Sequence, residues 1–282
     1  MRILIAVKIE LQYLLTILKG KVPINFHMKK LLFVPAVIFA FTAVAQKAET
    51  PKEDLAKMKP EMTEFWDPEV TVVTPGQLPS NAPSDAIVLF DGTPESFNAN
   101  WTNAKGEPSG WTIADNCVTV TKGTGGIKSK MEMMDFQLHI EWRTSSEVKG
   151  ESQGRGNSGI FLQGRYELQV LDNYQNRTYR NGQAGSIYKQ YAPLVNVCKK
   201  PGEWQVYDVI YTAPRFKEDG TVFSPARVTV LQNGVLVQNN ISLFGHTEYI
   251  GIPKYAAHGA GALELQDHGN PVSYRNIWVR KL

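Results

Sequence analysis

The chain has 282 residues, 43% of them hydrophobic and 20% charged, with a formal net charge of +3. That balance suits one sizeable globular domain with appendages and excludes disorder as the main state. The small positive charge is spread without a long Lys/Arg block, so neither nucleic acid nor a membrane surface is favoured as a partner. A small, neutral or weakly charged substrate fits better.

In chain order, Met28-Lys29-Lys30 is followed by an apolar run over 31–44 that closes on Ala43-Val44-Ala45. These are the charged, apolar and small-residue parts of a secretory signal. The expectation is a targeting segment over 1–45, translation starting at Met28, and export to a periplasmic or extracellular compartment. The earlier apolar stretch 11–18 is hemmed by Lys8, Glu10 and Lys19 and falls short of the roughly 20 residues a bilayer needs. A retained N-terminal anchor is the alternative; otherwise no membrane span is expected after cleavage. No Cys follows the apolar run, so a lipid-modified N-terminus is not indicated. Residues 46–84 hold a charged stretch over 52–65 with helical character, then Pro68, Pro75, Pro79 and Pro83. Prolines at that density end helices and favour an extended leader laid along the domain.

From Asp85 onward, short runs rich in Val, Ile, Tyr, Phe and Trp alternate with Gly, Asn, Asp and Pro turns. Strands are expected at 86–90, 111–114, 117–121, 126–129, 136–143, 158–162, 166–171, 205–212, 226–232, 235–239, 261–266 and 273–280. Regular spacing with almost no helical period argues an all-β sandwich of antiparallel sheets over 85–282. Asn233-Gly234 between two apolar runs is a hairpin signal. The glycine-rich stretches 123–126 and 150–159 lack the Lys-Ser/Thr and following helix of a phosphate cradle. Cys117 and Cys198 read either as one disulfide in an oxidising compartment or as two buried thiols. No His cluster accompanies them to make a zinc site.

The last hairpin carries the most chemistry. In Gly261-Ala262-Leu263-Glu264-Leu265-Gln266-Asp267-His268-Gly269, period two puts Leu263 and Leu265 on one side and Glu264, Gln266 and His268 on the other. Ser273, Arg275 and Ile277 alternate in the returning strand. Such a face suits a polar floor for a polar ligand, and its Gln, Asp, His, Arg and aromatic content points to carbohydrate.

Five segments in order carry a resemblance: Ile87-Val88-Leu89-Phe90-Asp91-Gly92 followed by Trp111-Thr112-Ile113; Asn157-Ser158-Gly159-Ile160-Phe161-Leu162; Tyr166-Glu167-Leu168-Gln169-Val170-Leu171-Asp172; Leu265-Gln266-Asp267-His268-Gly269; and Tyr274-Arg275-Asn276-Ile277. Together they closely resemble the 3-keto-disaccharide hydrolase domain family, from about residue 85 to the end of the chain. The resemblance implies a jelly-roll β-sandwich of concanavalin A-like type, in secreted bacterial proteins acting on oxidised glycosides. Fold analogy by itself does not separate an enzyme from a lectin-like binding module, so both classes stand, with a conventional glycosidase third.

The chemistry can be argued separately. An ordinary glycosidase needs two carboxylates about 5 to 9.5 Å apart. A ketone at C3 offers another route by acidifying the C2 proton: one base removes it, an electrophile holds the enolate, and the C1 substituent leaves before water adds back. In this reading His268 is the base, since imidazoles exchange protons near neutrality. Arg275 faces the ketone oxygen, and Glu141, Glu167 or Asp172 is the acid. Asn157, Gln169, Gln266, Asp267, Tyr174 and Tyr188 are the expected substrate contacts, with Tyr179 and Tyr191 in the same loop-rich stretch.

Each residue also has a plainer reading. His268 caps a turn, Glu141 forms a solvated pair with Arg143, Glu167 and Gln169 belong to any half-exposed strand, and Asp267 holds Arg275. The tryptophans other than Trp66 read as core. No cofactor is expected; a divalent cation stays open because carboxylates and amides abound, yet no spacing is specific for one. Oligomeric state is not legible. The catalytic reading requires Glu141, Glu167, Gln169, Asp172, His268 and Arg275 to converge in one hollow.

Overall fold

The computed structural model describes residues 57–70, 72 and 82–282; the targeting segment expected over 1–45 lies outside them. The strands are β1 (Ile87–Phe90), β2 (Trp101–Asn103), β3 (Thr112–Ala114), β4 (Cys117–Thr119), β5 (Ile127–Met133), β6 (Phe136–Arg143), β7 (Ser158–Leu162) and β8 (Tyr166–Val170). They continue as β9 (Gln205–Thr212), β10 (Arg215–Phe216), β11 (Val222–Ser224), β12 (Arg227–Gln232), β13 (Val235–Ser242), β14 (Gly261–Leu265) and β15 (Ser273–Lys281). An eight-stranded sheet runs β13-β12-β9-β6-β15-β4-β3, with β1 also pairing β15, and a five-stranded sheet runs β2-β5-β14-β7-β8. All pairings in both sheets are antiparallel. This is the two-layer sandwich that the strand spacing implied. Among the described residues no helix is long and apolar enough to cross a membrane.

Period two builds the layers. Ile160, Leu162, Leu168, Val170, Leu263 and Leu265 from the five-stranded sheet are buried, as are Leu138, Ile140, Trp142, Tyr207, Val209 and Tyr274 from the eight-stranded one. Each such aliphatic side chain contributes about 1.5 to 3 kcal/mol of burial. The two inner faces also meet through hydrogen bonds: the Tyr274 hydroxyl donates to Ser158 Oγ at 2.7 Å, and the Tyr207 hydroxyl donates to the Gln169 carbonyl at 2.7 Å. The alternate residues therefore point away from the core. Phe161, Glu167 and Gln169 take the outer face of one sheet; His139, Glu141, Arg143 and Arg275 take that of the other.

Several elements depart from expectation. Helix α1 (Pro94–Asn100) and β2 fill a stretch in which no element was anticipated. Its start signal is local: Thr93 Oγ1 accepts from Ser96 N at 3.1 Å, and Pro94 sits at the first helical position. Of the charged stretch 52–65, residues 52–56 lie outside the described residues, and the described part includes a short 3-10 turn, Pro60–Thr63. At the hairpin, Asn233 and Gly234 both take positive φ, 53° and 80°, as a tight two-residue turn requires. Cys117 and Cys198 are two separate buried thiols. Burial pushes the Cys198 thiol up to about 11, so it stays protonated and packs as a small hydrophobe.

Candidate active site

A cleft of about 360 Å³ lies on the outer face of the five-stranded sheet, within the ordinary range of roughly 300 to 1,000 Å³ for small-molecule sites. β7 and β8 supply its floor through Phe161, Glu167 and Gln169, with Asn157 just before β7. Gln266 and His268 enter from the turn after β14, Tyr188 from the loop along β8, and Thr247 and Tyr249 from the segment after β13. No Lys or Arg belongs to this lining.

Glu167 is the electrostatic centre. Its side chain is buried, and burial alone pushes its carboxyl up to about 8. The strand around it is held on both sides: Glu167 N donates to Thr247 Oγ1 at 2.9 Å, and its carbonyl accepts from Tyr188 N at 3.0 Å. Beside it on β7 lies Gly159, where a Cβ would stand 2.5 Å from Glu167 Oε1. The missing side chain is what lets the carboxyl lie across the neighbouring strand.

An amide row continues from it. Gln169 Nε2 donates to Asn157 Oδ1 at 3.1 Å, and Asn157 Nδ2 donates to the Gln153 carbonyl at 2.7 Å. The side-chain oxygens of Gln169 and Gln266 are buried without a hydrogen-bond partner. An unpartnered buried acceptor costs about 1 to 3 kcal/mol, which is recovered when a ligand hydroxyl donates to it. Opposite, the hydroxyls of Tyr188 and Tyr179 lie 2.6 Å apart. Burial pushes Tyr188 up to about 12, so it remains a neutral donor.

The turn that presents His268 is pinned by Asp267, whose carboxylate accepts from Gly123 N at 2.7 Å, Gly125 N at 3.0 Å and Gly269 N at 2.8 Å. Asp267 thus serves its own turn and does not hold Arg275. Among the described residues, no group of three or more His, Cys, Asp or Glu is placed to hold a metal ion.

Convergence of all six expected residues does not occur. Glu141 and Arg275 sit opposite one another across β6 and β15, on the far surface of the sandwich. Tyr274 and Trp142 occupy inner positions of those strands, so period two sends both charged side chains outward. There Arg275 Nε donates to Glu141 Oε2 at 2.6 Å and Asn276 Nδ2 to Oε1 at 2.9 Å. Burial would raise the Glu141 carboxyl, but hydrogen bonds from His139, Asn276 and Arg275 outweigh it and bring it down to about 2. His139 is shifted upward: burial opposes its charge, while Asp208 and Glu141 favour it more strongly. Arg143, expected to pair with Glu141, lies over the Trp204 ring at 4.6 Å, and Arg275 lies over the same ring at 4.1 Å.

Asp172 and Tyr174 are also outside the cleft. Arg155 Nε donates to Asp172 Oδ2 at 2.7 Å, Tyr174 N donates to Asp172 Oδ1 at 3.0 Å, and the Tyr174 carbonyl accepts from Arg155 at 2.8 Å. This knot borders a separate hollow of about 240 Å³. The structure thus brings together Asn157, Glu167, Gln169, Tyr188, Gln266 and His268. Sequence reasoning missed Phe161, Thr247 and Tyr249. Alternation in β7 could have placed Phe161, whereas Thr247 and Tyr249 lie in an irregular segment with no period to read.

Residues 85–280 match the 3-keto-alpha-glucoside-1,2-lyase-like domain. A protein of Bacteroides thetaiotaomicron named 3-keto-disaccharide hydrolase is 28% identical over 260 residues, which cover 73% of this chain and 81% of that one. A crystal structure from Parabacteroides distasonis, of a protein assigned only provisionally as a glycosyl hydrolase, is 54% identical and covers 79% of this chain and 96% of its own, with a TM-score of 0.70. A second provisional glycosyl hydrolase from the same organism, at 21% identity and a TM-score of 0.50 over 70% of this chain and 94% of its own, shares the fold. With the match spanning both sheets and the whole cleft floor, the chain belongs to the 3-keto-alpha-glucoside-1,2-lyase-like domain family.

Proposed function

We propose that the protein is an enzyme that cleaves glycosides oxidised at C3, by removing the C2 proton and eliminating the C1 substituent, with hydration to follow. The observation that carries this reading is Glu167: a cleft carboxyl with no cation beside it, held by burial to a pKa of about 8. A base for a carbon acid works best when its pKa lies near the working pH. Its conjugate acid in turn has to survive long enough to be useful, and a buried position in a lining that holds no Lys or Arg provides both.

Glu167 takes the proton from C2, and the C2–H electron pair forms the enolate with the oxygen of C3. That pair then makes the C1–C2 double bond as the C1–O bond breaks, and the departing oxygen takes the proton that Glu167 now carries, with His268 lining the same cleft. The Tyr188 hydroxyl, 2.6 Å from that of Tyr179, is available to a ring hydroxyl of the sugar. The unpartnered Gln169 and Gln266 oxygens would accept from ring hydroxyls. Water added across the double bond completes net hydrolysis. The elimination route is supported by the 1,2-lyase chemistry in the family's description, and the sugar substrate by that description and by the named Bacteroides relative.

The test compares a 3-keto disaccharide with its unoxidised parent. Consumption of the keto sugar alone, with a conjugated enone absorbing in the near ultraviolet as the first product, is the expected result. Consumption of the parent would favour a conventional glycosidase, and binding without product would favour a lectin-like module. The charged, apolar and small-residue run over 28–45 supports a mature protein outside the cytoplasm, with an N-terminus near Gln46 that sequencing of secreted material would reveal.

A further inference from the structure

Part of the cleft wall is held from outside the domain that defines the family. The family match begins at residue 85, yet residues 60–67 lie against the loop that carries Tyr188. Asn181, fully buried, donates from Nδ2 to the Thr63 carbonyl at 2.8 Å and accepts from Phe65 N at 3.2 Å. Arg180 N donates to the Phe65 carbonyl. Lys189 then joins three elements: its Nζ donates to the Pro60 carbonyl at 3.0 Å and to the Tyr249 carbonyl at 2.9 Å, and lies 3.9 Å from Glu64 Oε1. The same ammonium is 4.7 Å from the centre of the Tyr249 ring and 5.9 Å from that of Tyr188, both of which line the cleft. Tyr179 completes the layer, its ring 6.2 Å from Trp66 on one side and 6.2 Å from Tyr188 on the other.

The Lys189 side chain is only 3% exposed. A buried ammonium persists only when its donors are satisfied. One of its two carbonyl partners and its nearby carboxylate both come from 60–67, and so do both partners of the Asn181 amide. Without that segment these buried groups would lose their partners, and the layer behind Tyr188 and Tyr249 would have to rearrange.

We propose that residues 60–67 act as a strap that fixes the Tyr188–Tyr249 wall through Lys189, which makes Lys189 and Asn181 positioning residues for the sugar ring. The proposal rests on the cleft being where the 3-keto glycoside binds. A wall that contacts the ring equally in ground state and transition state contributes uniform binding, so disturbing it raises KM and leaves kcat in place.

The experiment uses the full chain and the variants Asn181→Ala and Lys189→Met, assayed on a 3-keto disaccharide, with hydrogen exchange of the 247–249 amides followed in parallel. Asn181 is not among the residues that line the cleft and serves if Lys189→Met folds poorly. The expected result is a KM raised about tenfold with kcat within about twofold, together with faster exchange at 247–249. Unchanged KM and unchanged exchange in folded Asn181→Ala would overturn the proposal, as would a fall in kcat with KM intact. If the wild type consumes no 3-keto sugar, the functional reading fails, while the exchange result still decides whether the strap holds the wall.

Discussion

The two outer faces of this sandwich each carry a carboxylate among aromatic rings, and they treat it in opposite ways. On the eight-stranded sheet, Glu141 is surrounded by Arg275, Asn276 and His139 and is driven down to about 2. On the five-stranded sheet, Glu167 has burial without compensation and is driven up to about 8. Both side chains are nearly closed to solvent, Glu167 the more deeply set of the two. The difference lies in the partners: a carboxylate whose lone pairs are all engaged is committed to structure, whereas one kept apart from cations retains a proton that can move near neutral pH. The richer cluster of charges is therefore the poorer candidate for catalysis.

The comparison can be broken most sharply by exchanging each carboxyl for its amide. Glu167→Gln should lower kcat on a 3-keto disaccharide by roughly a hundred- to ten-thousand-fold, while Glu141→Gln stays within about twofold. Equal losses in the two variants would erase the distinction. The next largest effect is on pH dependence. A base must be ionised to act, so kcat/KM should climb with pH through about 8 and level off above it; a rate that falls across that interval would contradict the assignment.

Stability sharpens the same contrast with smaller effects of opposite sign. Glu141 has its folded-state pKa depressed, so its contribution is present above the ordinary carboxylate range and is lost as pH falls toward 2. Glu141→Gln should therefore destabilise by about 2 kcal/mol in urea titrations at pH 7, the deficit shrinking in acid. Glu167 has its folded-state pKa raised, so its contribution is full below the ordinary range and is lost as pH rises through about 8. Glu167→Gln should thus gain roughly 4 kcal/mol over wild type at pH 9 relative to pH 5. A Glu167→Gln protein less stable than wild type at alkaline pH would mean that the carboxylate has a partner after all.

Much of the scaffold was legible because apolar periodicity is a local signal. The ranges Phe136–Arg143, Ser158–Leu162 and Gln205–Thr212 are readable to the residue, and Asn233-Gly234 marks its hairpin. Period two also tells which strand residues share a face, which is why Glu167 and Gln169 on β8 could be grouped. It does not tell which sheet a strand joins. Glu141 and Arg275 were assigned to the cleft for that reason, although β6 and β15 lie in the other layer. Asp172 was misplaced because its partner Arg155 comes from a loop with no period. Tyr249 and the strap at 60–67 reach the site through long-range contacts to Lys189 and Asn181, and nothing in the local sequence announces such contacts.

The most direct test of the account is the fate of deuterium placed at C2 of a 3-keto disaccharide and followed by mass spectrometry. Proton abstraction by Glu167 predicts that the wild type releases the label to solvent at the rate of glycoside cleavage, and that Glu167→Gln neither releases it nor cleaves. A free sugar product that keeps its C2 deuterium, or full release by Glu167→Gln, would contradict the account.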